Sequence, residues 1–432
     1  MKHLHKPKLV RTAAIALIVL LFGVSAFCVQ SGIRRLLAWD PGAELIPLEK
    51  RFSPTPPIGN DLMLRWIEEQ YILRGQNPYD IWFAGVDPDG PDAYSRSVHR
   101  NCTLDQELGQ PWAGGGYAPW SFVAGAALYG PPWQVTRYLS IVVSLLSLAL
   151  IGYWAYRLGD GSVVGLLFAA ASLACNGYAG AFSIGQSTIL VLAMLIVALV
   201  LADRGHLWAC GIVIGLAMMK HTIAGPFLLC FLVRGQWKPI VSCLAYLVLA
   251  STVVWYYSAT DPVEMSLQMV RSAQTWAGKG SGPINLLFDA GFDPRKTMLG
   301  VAAGSVILAT PLMWVLRRAP LLTLFAVAAV CSRVWTYHRA YDDAIMVFVL
   351  IAIGIQAHRT NSSFDWALFF LTSLTLWLPP RYMNPQLFTT GQLVVWIAAL
   401  SRIVADHLSS PVSQPVSTTK KFGWPDAPES CP

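Results

Sequence analysis

The sequence predicts an all-α integral membrane protein: a polytopic bundle of about ten to twelve membrane helices with a long first external loop. Three observations predict it. Over 432 residues the chain is 55% hydrophobic and 13% charged, whereas soluble domains carry roughly a quarter charged residues. Its mean hydropathy is +0.49. Apolar runs recur along its length, beginning with "TAAIALIVLLFGVSAFCV" at residues 12–29, and short basic connections join them.

In order, the apolar segments fall at residues 10–29, 135–156, 162–182, 186–202, 207–219, 222–233, 239–257, 297–316, 320–335, 343–357, 364–379 and 390–405. The first is longer than a signal-peptide core and lacks a strong small-residue cleavage site, which favours an uncleaved helix. The fifth and sixth fall short of the roughly 20 residues that a crossing needs. They read as a pair of short helices or a re-entrant hairpin turning at "KHTIAGP". The connections "MKHLHKPK", Arg157, Arg204, "VRGQWK", Arg317–Arg318, His358–Arg359 and the Lys420–Lys421 tail then emerge on one side, which the positive-inside rule makes cytoplasmic. Arg34 and Arg35 are the exception, in a long loop where that rule is weak. The expected division is a membrane domain over 1–405, with external loops at 30–132 and 258–296, and a disordered cytoplasmic tail rich in Pro, Ser and Thr over 406–432.

The net charge of +7 does not point to nucleic acid, because many of the basic groups cluster at helix ends. Eight cysteines without a CxxC spacing give neither a disulfide framework nor a metal motif.

Polar residues inside apolar segments carry the functional signal. "TYHRAYDDAIMVFVLIAIG", residues 336–354, begins with His338, Arg339, Tyr341, Asp342 and Asp343. A central Asp or Arg costs about 2.5–3.5 kcal/mol on insertion scales, so such groups are seldom placed there without a partner or a task. On a helix, His338, Tyr341 and Asp342 share one face, while Trp335, Arg339 and Asp343 share another. Arg339 and Asp343 are therefore expected to pair in a partly exposed contact worth about 0.2–1 kcal/mol.

Lys220 sits at the turn of the short pair, where a lysine ordinarily snorkels to the surface and where its charge also suits a phosphate. Gly185, Gln186 and Ser187 open an apolar helix. In the first loop, "GNDLMLRWIEEQYILRGQNPYD" reads as an amphipathic helix. Met63, Ile67 and Tyr71 form its apolar face and Arg65, Glu68 and Glu69 its polar face, with Gly75 and Pro78 stopping it. Asp61 at its start is either an N-cap, a role open equally to Asn60, or a functional carboxylate. The aromatics and prolines of "WAGGGYAPWSFVAGAALYGPPWQ" read as an interfacial helix.

In order along the chain, these motifs resemble those of glycosyltransferase family 87, the polyprenyl-phosphate-mannose-dependent transferases with the GT-C membrane fold. An external Asp61 is followed by G-x-N-P-Y-D at Gly75 and Asn77–Asp80, then Y-x-P at Tyr117 and Pro119. Next come G-Q at Gly185–Gln186, G-x-x-x-G-L-A-x-x-K over Gly211–Lys220, and Y-H-R-x-Y-D over Tyr337–Asp342. The family often has Asn where this chain has Thr188, and Pro where it has His221.

The resemblance implies sugar transfer, most simply of mannose, from a polyprenyl-phosphate donor to a lipid or glycan acceptor on the non-cytoplasmic face. It implies Asp61 as the catalytic carboxylate, and Lys220, His338, Arg339, Tyr341, Asp342 and Gln186 as binders of the donor phosphate or sugar. It implies no cofactor and leaves a divalent metal open. The partners expected are the lipid-linked donor, the acceptor and membrane lipid, with no nucleic acid. Two other readings use the same residues: a transferase of another lipid-linked hexose or pentose, and a lipid or sugar transporter with ionisable groups on broken helices.

The topology is directly testable. Single cysteines placed beside Arg317 or in the Lys420 tail should be protected from an impermeant maleimide in intact cells, and cysteines in the 30–132 loop should react. Labelling of the tail from outside would reverse the orientation.

Overall fold

The computed structural model describes residues 6–38, 60–83, 116–277, 283–336, 338–378 and 385–409. Among them every regular element is helical, as a bilayer requires of a chain that must satisfy its backbone polar groups internally. The chain opens with α1 (Lys6–Ala38), then α2 (Asn60–Leu73) and α3 (Pro78–Phe83). A short apolar α4 (Trp120–Tyr129) leads into α5 (Trp133–Leu158). Helices α6 (Val163–Leu173) and α7 (Asn176–Ile184) meet at a 46° bend, and α8 (Thr188–Asp203) returns.

Next come α9 (Leu207–Ala217), a 3-10 turn at Met218–Lys220, α10 (His221–Ala224) and α11 (Phe227–Val233). Helix α12 (Trp237–Ser258) is followed by α13 (Pro262–Ala277), α14 (Pro283–Asp289), α15 (Pro294–Val315) and α16 (Leu321–Val334). A 3-10 segment, Ala340–Met346, opens α17 (Val347–Thr360), and α18 (Ser363–Trp377) and α19 (Pro385–Ser409) close the described chain.

Among the described residues, seven helices are long and apolar enough to cross a membrane, or eight with the bent α6–α7 pair counted as one span. The difference from ten to twelve has a physical cause. Several runs are broken or shortened where they bring polar groups together. Helix α8, with 16 residues, is about 24 Å long, less than the roughly 30 Å hydrocarbon thickness. The short apolar pair at 207–233 does form two short helical limbs, α9 and α11, joined through Lys220 and α10. Leu207–Ala224, which holds α9 and α10, is one of the seven candidate spans. Helix α11 brings the chain back beside the start of α9, where Gly211 meets Pro239, and the Arg234 guanidinium donates to the Ala319 carbonyl.

Other boundaries shift. Helix α1 runs on to Ala38, nine residues into the expected first loop, and the second expected loop contains α13 and α14. Helix α19 continues to Ser409, past the expected boundary at 405. The remainder of the tail lies outside the described residues, as does Tyr337.

Helix α17 runs through the middle of the bundle and is buried along most of its length, which explains why its sequence is hydrocarbon on every face. Its Phe348 ring meets Trp154, Phe227 and Phe325 at 5.8, 5.5 and 5.4 Å between centroids, tilted or edge-on. At the end of the bundle where α17 finishes, buried Asp365 accepts from Arg402 Nε (2.7 Å) and Thr360 Oγ1 (2.8 Å), and Arg359 pairs with Asp406. These bonds tie α17, α18 and α19 together.

Helix α9 packs on α12 through small residues. A Cβ built on Gly211 would lie 2.0 Å from Ser242 Oγ and 2.2 Å from the Pro239 carbonyl, and one on Gly215 would lie 2.7 Å from the Tyr246 ring. The G-x-x-x-G of the motif therefore lets α9 approach α12 closely, Gly211 against the Pro239 backbone and Gly215 against the Tyr246 ring, as small residues do between membrane helices. Gly211→Ala should lower the melting temperature in detergent, overpacking of this kind costing about 1–3 kcal/mol. Gly300→Ala, where nothing lies within 4 Å, should be neutral or slightly stabilising. Equal effects at both positions would contradict the packing argument.

Candidate functional site

Four separated stretches converge at the opposite end of the bundle from Asp365: the start of α2, the α7–α8 turn, the 3-10 turn after α9, and residues 338–346. The α7–α8 turn depends on Gly185. Its φ of 72° and ψ of 38° are left-handed, and a Cβ there would lie 2.3 Å from the Leu62 Cβ. Glycine lets α2 close onto the turn, so that Gln186 lies beside Asp61. At the other end of α7, Gly177 touches the backbone of Ala340 and Tyr341, where a Cβ would come within 3.0 Å of the Ala340 carbonyl.

Asp61 is the second residue of α2. Its carboxylate reaches across the site instead of back to its own helix. Gln186 Nε2 donates to Asp61 Oδ2 at 2.5 Å, and the Tyr341 hydroxyl donates to the same oxygen at 3.4 Å. Among the described residues no backbone N–H reaches the carboxylate, so the capping role is not seen. Asp61 is half-buried, and among the described residues no hydrogen bond reaches its Oδ1.

Gln186 Oε1 accepts from Lys220 Nζ (3.0 Å), which also donates to Thr188 Oγ1 (2.6 Å) and Asp342 Oδ1 (2.6 Å). Thr188 Oγ1 donates in turn to Asp342 Oδ1 at 2.8 Å. His338 Nδ1 lies 3.1 Å from Asp342 Oδ2, and opposite a carboxylate that nitrogen carries the proton and donates. The ammonium of Lys220 also lies over the Tyr341 ring, 4.6 Å from its centroid. Asp61, Gln186, Tyr341, Lys220, Asp342 and His338 are thus one connected chain of contacts. Arg339 joins it through its backbone N–H, 3.3 Å from Asp342 Oδ2, while its half-buried guanidinium has no hydrogen-bond or ion-pair partner among the described residues.

The expected pairing of Arg339 with Asp343 is corrected. His338 and Arg339 precede the helix, Arg339 in extended backbone, and residues 340–346 form a 3-10 turn, so the α-helical facing does not apply. Asp343 is buried, Arg333 Nε and a guanidinium nitrogen each lie 2.5 Å from its Oδ1, and Gln392 Nε2 donates to its Oδ2 at 3.1 Å. The two adjacent carboxylates do face different ways, Asp342 into the site and Asp343 towards α16 and α19.

The second correction concerns α2. Arg65, Glu68 and Glu69 are not a solvated face: all three are buried, because α4, α5 and α12 cover them. The Arg65 guanidinium lies 4.1 Å from the Tyr117 ring centroid and 4.8 and 5.1 Å from those of Phe122 and Tyr129. It bonds Glu68 Oε2 (3.3 Å) and the Ser121 carbonyl (3.1 Å). Burial pushes Glu69 up to about 8 against the pull of Arg65. Burial also opposes the charge on Arg65, but Glu68 and Glu69 hold its pKa above the ordinary value. Phe122, Tyr129 and Trp133 are buried as well, so the expected interfacial helix is part of the protein interior.

Thr188 was missed by the sequence as a participant, although it occupies one of the two positions where the motif pattern departs. His221, at the other, sits edge-on to Trp120, 6.2 Å between centroids. Among the described residues, no three His, Cys, Asp or Glu side chains gather as a metal-binding group.

The profile of glycosyltransferase family 87 matches residues 117–355, a little over half of the chain. The chain belongs to glycosyltransferase family 87. It is a membrane glycosyltransferase, and its family implies a lipid-linked donor and an acceptor. Comparison with curated proteins and with solved structures gives no match. The family 87 match takes in Gln186, Lys220 and the 338–342 segment, while Asp61 and the N-P-Y-D stretch lie before it.

The two neighbouring carboxylates of this family 87 chain should separate by experiment. Asp343→Ala leaves Arg333 buried without its partner, a loss of about 3–5 kcal/mol, so folded yield and melting temperature should fall sharply. The double variant Asp343→Leu with Arg333→Met should recover much of that stability, since replacing both partners of a buried pair is often neutral. If the double variant is no more stable than Asp343→Ala, the pair is not what holds this turn.

Proposed function

We propose that this glycosyltransferase moves a sugar, most simply mannose, from a polyprenyl-phosphate donor to a lipid or glycan acceptor at the non-cytoplasmic face of the cell membrane. The observation that carries the reading is the meeting of a half-buried carboxylate, Asp61, with three cationic or titratable side chains, Lys220, His338 and Arg339, at one end of the bundle. Among the described residues, Arg157, Arg204, Arg234 and Arg359, which the positive-inside rule assigns to the cytoplasm, lie at helix ends away from this site.

In the proposed reaction, Asp61 Oδ1 takes the proton of the acceptor hydroxyl while that oxygen bonds to the anomeric carbon. Oδ2 is held by Gln186 and Tyr341, so the carboxylate is oriented before the acceptor arrives. The bond from the anomeric carbon to the phosphate oxygen breaks, and its electron pair leaves with the lipid phosphate. Hydrogen-bond donors and positive charge aimed at that oxygen lower the barrier. The Arg339 guanidinium, without a hydrogen-bond or ion-pair partner among the described residues, is the group best placed to meet the phosphate, while His338, buried with Nδ1 on Asp342 and Nε2 beside Thr336 Oγ1, orients the Asp342 carboxylate. Lys220 is already engaged by Asp342, so its part is to hold Gln186, Thr188 and Asp342 in register, with its remaining charge felt at the phosphate.

A second reading, a different lipid-linked hexose or pentose, is favoured by Thr188 and His221, which flank Lys220 where the family often has Asn and Pro.

Purified protein incubated with labelled polyprenyl-phosphate sugars and a membrane lipid extract should form a labelled product, and mannose should be the best sugar. Asp61→Asn should lower that rate by about 10²–10⁴-fold, the usual contribution of a general base, with donor binding retained. Near-normal activity in Asp61→Asn would place the base elsewhere. A better rate with another sugar would select the second reading.

A further inference from the structure

Helix α13 has three faces of different chemistry. Met265, Met269 and Ser272 are buried against the protein. Val263, Leu267 and Val270 are exposed at 68, 57 and 43% and, at about 100° per residue, lie within an arc of about 60°. Glu264 and Arg271 are exposed too, and lie together on the flank between those two faces.

The protein-facing side completes a small core separate from the main one, with Ile72 of α2, Tyr79 of α3, Ala118 and Phe122 beside and within α4, and Val254 of α12. A polar clasp fastens the same helix. Asn77 Nδ2 donates to Gln268 Oε1 at 2.9 Å, and Gln268 Nε2 donates to Asp80 Oδ1 at 2.8 Å. Asn77 Oδ1 caps the Tyr79 N–H at 3.0 Å, and the Tyr79 hydroxyl accepts from the Tyr117 N–H at 2.8 Å. The N-P-Y-D stretch is thus a fastening between the Asp61-bearing α2 and α13.

We propose that α13 lies flat at the membrane interface, with Val263, Leu267 and Val270 in lipid and Glu264 and Arg271 at the headgroups. A helix with an apolar stripe beside a charged flank is what such a position demands. The surface on either side is continuous with it. Just upstream, Trp255, Tyr256 and Tyr257 at the end of α12 are all exposed, an aromatic belt of the kind that marks the lipid–water boundary. Val248 and Leu249 below them, and Leu299, Ile307 and Leu308 on α15, extend the same lipid-facing wall. The chain leaves that wall at Ala259, whose φ of 52° ends α12 and turns it into α13. The occupant of the stripe is therefore the acyl region of the bilayer, and the second expected external loop begins on lipid instead of in water. The inference rests on the membrane fold and not on the donor, the acceptor or the catalytic role of Asp61.

The test uses full-length protein in vesicles of phosphatidylcholine with an anionic lipid, in a background without other reactive cysteines. Single cysteines at positions 263, 264, 267, 270 and 271 carry an environment-sensitive fluorophore, and all five positions are exposed, so the label displaces no packed side chain. Lipid bearing a shallow nitroxide should quench labels at Val263, Leu267 and Val270 several-fold more than aqueous iodide does. Labels at Glu264 and Arg271 should show the reverse order. Iodide quenching at all five would place the helix above the membrane and overturn the proposal. Protection of 263, 267 and 270 from both quenchers would overturn it too, showing a second copy or another segment of chain on the stripe.

Discussion

The Lys220–Asp342 ion pair is the interaction on which the site depends. It joins the end of α9 to the start of the 340–346 turn, and through Thr188 and Gln186 it reaches α8 and then Asp61. These groups are largely buried, where an unpaired charge is expensive, and losing one partner of such a pair costs about 3–5 kcal/mol. That penalty forces four stretches of chain, distant in sequence, to meet at one point. It also changes how Lys220 should be understood. A lysine already matched by a carboxylate acts first on its protein neighbours, and the cation of the site without a matching carboxylate among the described residues is Arg339, beside Asp342.

Much of the architecture was legible in the sequence because lipid imposes simple rules. The apolar runs located the helices, and the break at Lys220 produced two short limbs as expected. Asp342 was separated correctly from Asp343, because adjacent residues cannot share a direction on any helix. The partner of Asp343 was not legible. Arg333 lay inside an apolar run and attracted no attention, whereas Arg339 stood at helical spacing in a segment that is not α-helical at that point.

The polar residues of α2 failed for a related reason. A periodic pattern shows which residues share a face, but not what covers it. The cover over Arg65, Glu68 and Glu69 comes from α4, α5 and α12, segments far along the chain. Three aromatic rings around one guanidinium substitute for the water that the pattern had suggested. The helix count differed because spans that carry the site are bent, short or begin in 3-10 turns, and a hydropathy window counts length and not continuity. The family match begins at Tyr117, yet the helix bearing Asp61 packs into the same core through Leu62, Met63, Ile67 and Tyr71, and buried charge and the Gln268 clasp fasten it as well.

Helix α7 joins these pieces with a property of its own. Gly185 at one end meets Leu62, and Gly177 at the other meets the backbone of Ala340 and Tyr341. No side chain intervenes at the α7 surface in either contact. Side chains can exchange rotamers, but a main chain packed directly on another main chain, as at Gly177, or on the backbone-fixed Cβ of Leu62, as at Gly185, yields very little. A nine-residue helix held between two such stops works as a gauge block, fixing the gap between the segment of Asp61 and the segment of Asp342. Because a misplacement of 1 Å can cost about 10²-fold in rate, the mechanical tolerance of this site is set by two absent side chains and not by any residue that performs chemistry.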